Sequence, residues 1–256
     1  MSDAQVLWVY GALARAPGAP EAPGIDGRPV RVHQRAGATV LVSEVPAARF
    51  SAEALRERLE DLDEVERLAR AHEGVLERAM ADGAVVPFRL CTIYSSADAL
   101  DAMLDSEAPH LAAALDRLEG TQEWGVKGFA RAAVAAGGPT EAASGTEYLL
   151  RKRERREAAI ADREATETVV AEIHARLAER AAAATLSRPQ DRRLSGRETE
   201  MLLNASYLVP GDRAQAFRDL VEDLGRRHEP DGVELELTGP WPPYHFVEPP
   251  SGADDT

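Results

Sequence analysis

An α+β protein of two domains is the architecture this sequence predicts, and three observations carry it. The 256 residues are 44% hydrophobic and 29% charged, a globular composition long enough for two ordinary domains. The chain opens with three runs rich in β-formers before helical periodicity begins. Its second half alternates strand and helix signals in a fixed order.

Val6 to Leu13 (VLWVYGAL) reads as a strand, and Ala14 to Gly27, rich in Ala, Pro and Gly, reads as a loop. Val30 to Arg35 and Thr39 to Val45 are β-branched runs around Gly37, the spacing of a hairpin. Ser51 caps a helix or helix pair whose apolar residues recur at Leu55, Leu59, Leu62, Val65, Ala69, Leu76 and Met80, closed by Gly83. Val85 to Tyr94 (VVPFRLCTIY) reads as one strand, with Pro87 at a sheet edge or at the strand's entry. Ser95 and Asp98 resemble a capping box for a helix through Leu100, Met103, Leu111, Leu115 and Leu118, which Pro109 should break or kink.

Beyond Gly120 the pattern is clearer. Glu123 to Val134 is a strand and Ala135 to Gly145 a loop, and a long helix follows from about Thr146 to Ala184. Strands at Thr185 to Leu194 and Thr199 to Val209 flank a turn at Ser195 and Gly196. Asp212 and Gln215 cap a helix with Phe217, Leu220, Val221 and Leu224 inward, and Val233 to Leu237 closes the unit as a strand. The order β-α-β-β-α-β is that of a ferredoxin-like unit, an antiparallel sheet with both helices on one face. The expected boundaries are therefore an N-terminal α+β domain at 1–119, the ferredoxin-like domain at 120–248, and a mobile acidic tail at 249–256.

Charge and motifs narrow the function. A net charge of −14, from 44 acidic and 30 basic residues, disfavours a nucleic-acid partner, because that affinity rests on neutralising phosphates. A single cysteine, Cys91, permits no intrachain disulfide or Cys-rich zinc site, and no stretch approaches the roughly 20 apolar residues of a membrane span. No membrane partner and an intracellular address are the expectation. Cys91, in a predicted strand, reads as a small packed hydrophobe, and His72 as a packed residue of a helix stripe, since HEGVL lacks the second histidine of a zincin. No phosphate loop, metal cluster or acid-base pair stands out, so no cofactor and no enzymatic activity are expected. The basic run Arg151 to Arg156 (RKRERR) reads as a solvated helix face.

The most distinctive segment is Thr238 to Val247 (TGPWPPYHFV). Pro242 and Pro243 are expected to fix an extended backbone, and Trp241, Tyr244 and Phe246 offer large apolar area at little entropic cost. Such a strip serves a partner site or seals the domain junction, and the residues alone leave both open.

The run LELTGPWPPYHF, preceded by YLVP at Tyr207 to Pro210 and by Ala216 and Phe217, resembles the C-terminal part of the gas vesicle GvpF/GvpL family. LWVYGAL, VVPFRLCTIY and EWGVKG (Glu123 to Gly128) match its other landmarks in order, so the resemblance covers nearly the whole chain. Leu90 and Cys91 depart from it, standing where the family often has Phe-Gly. The resemblance implies a cytoplasmic, gas vesicle associated accessory protein that contacts the small hydrophobic shell protein and other accessory proteins. It further implies two α+β domains, the second a modified ferredoxin fold. Within it, Trp241, Tyr244 and Phe246 are the expected apolar anchors, Trp124 with Lys127 a neighbouring pair, and Arg89 an anchor of the interdomain junction. A ferredoxin-like module binding a small regulatory molecule is the rival reading.

Overall fold

The computed structural model describes residues 4–15, 23–131, 145–190 and 199–248. They form two compact units, Met1–Gln122 with Trp241–Thr256, and Glu123–Pro240. The first unit is built on a sheet of five strands. β1 (Gln5–Leu13) lies between β3 (Ala38–Pro46) and β4 (Val85–Pro87), β2 (Arg31–Arg35) pairs with β3, and β5 (Ile93–Tyr94) also pairs with β1, every pair antiparallel. The β2–β3 turn is the expected one: Ala36 and Gly37 both take the left-handed conformation, at φ 51° and 83°, which a two-residue hairpin turn demands.

The run read as one strand over Val85–Tyr94 is interrupted. Arg89 C=O accepts from Thr92 N–H at 3.1 Å and Thr92 Oγ at 2.7 Å, and Cys91 sits at φ 67°, so a turn separates β4 from β5. Cys91 is therefore a turn residue, half-buried, with its thiol pushed up to about 11 by burial. It packs against the first unit's core, as expected, but from a turn and not from a strand.

Three helices follow β3: α1 (Ala47–Phe50), α2 (Ala52–Arg58) and α3 (Leu62–Ala79). Ser51 caps α2 by accepting from Ala54 N–H, and Asp61 caps α3 by accepting from Asp63 N–H at 3.0 Å. The buried stripe of α3 is Leu68, His72, Val75, Leu76 and Ala79, whereas Leu62, expected inward, opens the helix at 81% exposure. α4 (Ala97–Leu118) is capped by Ser96, one residue later than expected, and runs through Pro109. That proline lies on the exposed side of the helix. Arg35 forks onto Asp105 with two bonds of 2.7 Å, and His33 meets Asp101 at 2.6 Å, holding α4 to β2.

Inside this unit Trp8 donates from Nε1 to His72 Nδ1 at 3.0 Å, and His72 Nε2 lies 3.1 Å from Phe88 O. Because an indole nitrogen only donates, Nδ1 must accept and Nε2 must carry the proton. The imidazole is thus fixed neutral, and burial holds its pKa down at about 4. A second relay sits beside it. Ile25 N–H donates to Tyr10 Oη at 2.8 Å, Tyr10 meets Ser43 Oγ at 2.9 Å, and Ser43 donates to Pro29 C=O at 3.0 Å. Gly24 makes room for it, since a Cβ there would lie 2.1 Å from Tyr10 Oη.

The second unit orders its strands β7-β8-β6-β9, with β6 (Thr121–Ala130), β7 (Ala183–Leu186), β8 (Met201–Pro210) and β9 (Val233–Trp241). Ala130 N–H donates to Glu200 C=O at 2.8 Å and Arg131 N–H to Gly232 C=O at 2.7 Å. The end of β6 therefore lies beside the starts of β8 and β9, so this sheet too is antiparallel. α5 (Gly145–Ala178) and α6 (Ala214–His228) supply the helices. Ile173 and Leu177 of α5 and Phe217, Val221 and Leu224 of α6 pack on Trp124, Val126, Leu203, Ala205, Tyr207 and Val209, so both helices cover one sheet face. Arg213, without a side-chain cap bond, precedes α6; the Asp212 and Gln215 cap is not formed, because Gly211–Arg213 is a 3-10 turn and Gln215 bonds Asp219 instead. The Ser195–Gly196 turn, the loop at 135–144 and the tail from 249 lie outside the described residues.

Two outcomes follow from the first unit's relays. His72 folds with a pKa near 4 against an ordinary 6.5, so folding excludes its proton. Its stabilisation is complete above about pH 6.5 and declines by about 3 kcal/mol as pH falls toward 4. Chemical denaturation across that range should show the decline, and His72→Gln, which keeps one acceptor and one donor but cannot titrate, should remove this component. Gly24→Ala should cost about 2–4 kcal/mol by overpacking and loss of the Tyr10 hydrogen bonds, read as a lower denaturation midpoint.

Candidate functional site

The conspicuous C-terminal segment begins where β9 ends. Trp241 closes that strand with 41% of its surface exposed, while the next two residues, Pro242 and Pro243, are buried. The chain then turns. Tyr244–Phe246 is a 3-10 helix, with Tyr244 N–H donating to Pro242 C=O at 2.8 Å and Phe246 N–H to Pro243 C=O at 3.2 Å. Two prolines restrict φ on entry, and the turn ends the extended run that the sequence led us to expect.

The turn is fastened to the first unit. Tyr244 packs against the cluster that contains Trp8, Tyr10, Leu41 and Val75, and Arg117 of α4 donates from Nη2 to Phe246 C=O at 2.7 Å. Trp241, Pro242, Pro243, Tyr244 and Phe246 thus stay together as one structural feature, in which Tyr244 braces and Trp241 is presented. The aromatic strip expected in the second domain is grouped with the first unit instead, because its anchoring contacts are made there. The signal for this was absent from local periodicity; it lies in a bond between Arg117 and a residue 129 positions away.

Trp124 and Lys127 do not form a pair. Three residues apart on β6, they leave opposite faces of the strand. Trp124 is buried in the helix-covered core, its Nε1 without a hydrogen-bond partner, and the Arg218 guanidinium stands 5.6 Å from its ring. Lys127 is half-buried on the other face. Arg89 is exposed in the β4–β5 turn, where its backbone serves Thr92.

Sequence reasoning did not single out a charged cluster around Asp26. This residue, at φ 51°, receives Arg49 at 2.9 Å, Arg58 at 3.4 Å and Arg67 at 2.7 Å, and Arg58 also stacks 4.4 Å from the Phe50 ring. Glu64 bonds Arg67 and Arg58, and the Arg67 hydrogen bond pulls its carboxyl down to about 2. With every carboxylate in it paired, this cluster locks the Ile25–Gly27 turn to α2 and α3. Among the described residues no group of three or more His, Cys, Asp or Glu is placed to hold a metal ion. No helix among them is long and apolar enough to cross a membrane.

The arrangement is one of rigid presentation: an exposed tryptophan on a braced, proline-fixed base. The family model of the gas vesicle synthesis proteins GvpL/GvpF matches residues 6–248, taking in both sheets and this segment. The chain belongs to that family. Gas vesicle protein L of Streptomyces sp. (strain CB03234) is 37% identical over 96% of this chain and 94% of its own length. Gas vesicle protein F of the same strain is 31% identical over 94% and 99%. Crystal structures of GvpF from Anabaena sp. PCC7120 and from Microcystis aeruginosa superpose with TM-scores of 0.70 and 0.65, at 22% and 20% identity, covering 95% and 94% of this chain and 96% and 98% of theirs. The fold is theirs. This GvpL/GvpF family protein thus has an α+β architecture with two antiparallel sheets and a role in gas vesicle assembly.

Bracing and presentation separate in a stability measurement. Tyr244→Ala should lower unfolding free energy by about 1–3 kcal/mol through lost packing, whereas Trp241→Ala should change it by less than about 1 kcal/mol. Urea titrations of the two variants check this.

Proposed function

We propose that this GvpL/GvpF family protein is an accessory factor of gas vesicle assembly that binds the small hydrophobic shell protein, and other accessory proteins, in the cytoplasm. The observation that carries the reading is the presentation of Trp241: a large aromatic left 41% exposed at the end of a strand whose following residues are buried. An aromatic held rigidly at the surface loses little entropy on binding and gains area, which is why tryptophan dominates interface energetics. Phe246, half-buried in the 3-10 turn that follows, offers further apolar surface. The net charge of −14 keeps the free protein soluble, as a holder of an aggregation-prone subunit must be.

The element order of the second unit and its strand order β7-β8-β6-β9 support reading it as a modified ferredoxin-like domain. In that reading its sheet and helices are a scaffold for a binding surface, and catalysis has no part in it.

Co-expression with a gas vesicle shell protein, followed by size-exclusion chromatography with light scattering, tests the proposal. A soluble complex is expected with the wild type, and Trp241→Ala should weaken it by about tenfold or more at unchanged thermal stability. A shell protein that aggregates regardless while this chain elutes alone would overturn the reading.

A further inference from the structure

The strand order of the second unit ends at β9, so among the described residues no strand pairs with its outer edge. Arg131 N–H donates to Gly232 C=O, which fixes the phase of the strand: the backbone groups of Glu234 and Glu236 face β6, and those of Leu235 and Leu237, both partly exposed, face outward beyond the buried Val233. Along this edge, between β9 and α6, runs an open groove of about 560 Å³. Its floor is made by Val221, Leu235 and Leu237, and Gly225 lowers the helical wall, where a Cβ would lie 3.8 Å from that of Leu235.

The charges at the rim are unequal. Arg131 is paired with Glu229 at 2.6 Å, and Arg226 with Glu222 at 2.5 Å and with Asp223. Arg218, by contrast, bonds the neutral Gln215 and faces the Trp124 ring, with no carboxylate partner among the described residues.

We propose that this groove binds an extended segment of the shell protein as an added β-strand, with apolar side chains alternating into the α6–β9 cleft and a carboxylate reaching Arg218. The inference rests on the shell-protein reading above and gives it a second, separate contact surface. Outward N–H and C=O groups at Leu235 and Leu237 call for a partner strand, because a helix has already satisfied its own backbone. A second copy of β9 fits poorly, since antiparallel pairing centred on Leu235 sets Glu234 of one strand against Glu236 of the other.

Two measurements on the full chain decide it. The first uses a ten-residue synthetic peptide alternating valine with threonine and carrying one glutamate. It should slow hydrogen exchange at the Leu235 and Leu237 amides by about tenfold or more in the wild type and leave them unchanged in Gly225→Leu, whose side chain fills the groove. Unslowed amides in the wild type overturn the groove. If Gly225→Leu melts below the wild type, Arg218→Glu becomes the deciding variant, with an expected loss of about fivefold or more in peptide affinity. The second is co-elution of the shell protein, expected to fall by a similar factor in the same variant. Equal co-elution by wild type and variant overturns the shell segment as occupant. No co-elution by the wild type overturns the shell-protein reading itself, while the peptide still decides the groove, and a peptide-independent dimer lost in Gly225→Leu would assign the edge to a second copy.

Discussion

The indole of Trp8 and the imidazole of His72 share a hydrogen bond of 3.0 Å at the centre of the first unit, and the rest of that unit is arranged to keep it dry. The bond joins β1 to α3, and the second imidazole nitrogen joins both to the turn after β4 through Phe88 C=O. Neither polar group has an alternative, because both are buried. An unmade bond there would cost the full desolvation of a donor or acceptor, so sheet, helix and turn must close together. Phe50 packs edge-on against Trp8 at 5.7 Å and Tyr10 lies 5.3 Å from His72, which encloses the pair in aromatic surface.

Tyr10 shows how a local irregularity serves this core. The register of β1 against β3 shifts between Val9 and Gly11, leaving Tyr10 as the extra residue of a bulge. Its side chain meets Ile25 and Ser43 while its own C=O accepts from Phe88 N–H at 2.9 Å. The turn at Ile25–Gly27 is thereby held from inside by Tyr10 and from outside by the three arginines on Asp26. The second unit uses one polar tie of the same kind: Tyr207 Oη and His174 Nδ1, 2.9 Å apart, join β8 to α5 within an otherwise apolar layer.

The proposed contact surfaces lie where these cores stop. Tyr244 returns the chain to the first unit's aromatic cluster, and that contact is what allows Trp241 to remain exposed without being loose. The α6–β9 edge is a different kind of surface. In the proposed strand addition, specificity would come from backbone groups that no strand pairs among the described residues and from one cation, with Leu235 and Leu237 contributing area. Keeping such surfaces small and separate limits self-association, since a continuous exposed apolar patch would promote it.

By itself the sequence determined the strands at Val6–Leu13 and Thr39–Val45, the Gly37 hairpin, the caps at Ser51, the inward stripe of Phe217, Val221 and Leu224, and the order of elements in the second half. These are local properties: side-chain period, turn chemistry and capping act within a few residues. The family was legible for a related reason, since GPWPPY and EWGVKG are contiguous runs. Only the tertiary structure decided the rest. Pro109 could stay helical because its side of α4 faces water, and the run from Val85 broke in two because Thr92 bonded Arg89. The partners of His72, the arginines around Asp26 and the bond from Arg117 to Phe246 join residues 16 to 129 positions apart. No periodicity reports such pairings, because they are fixed by where whole elements dock and not by the residues beside them.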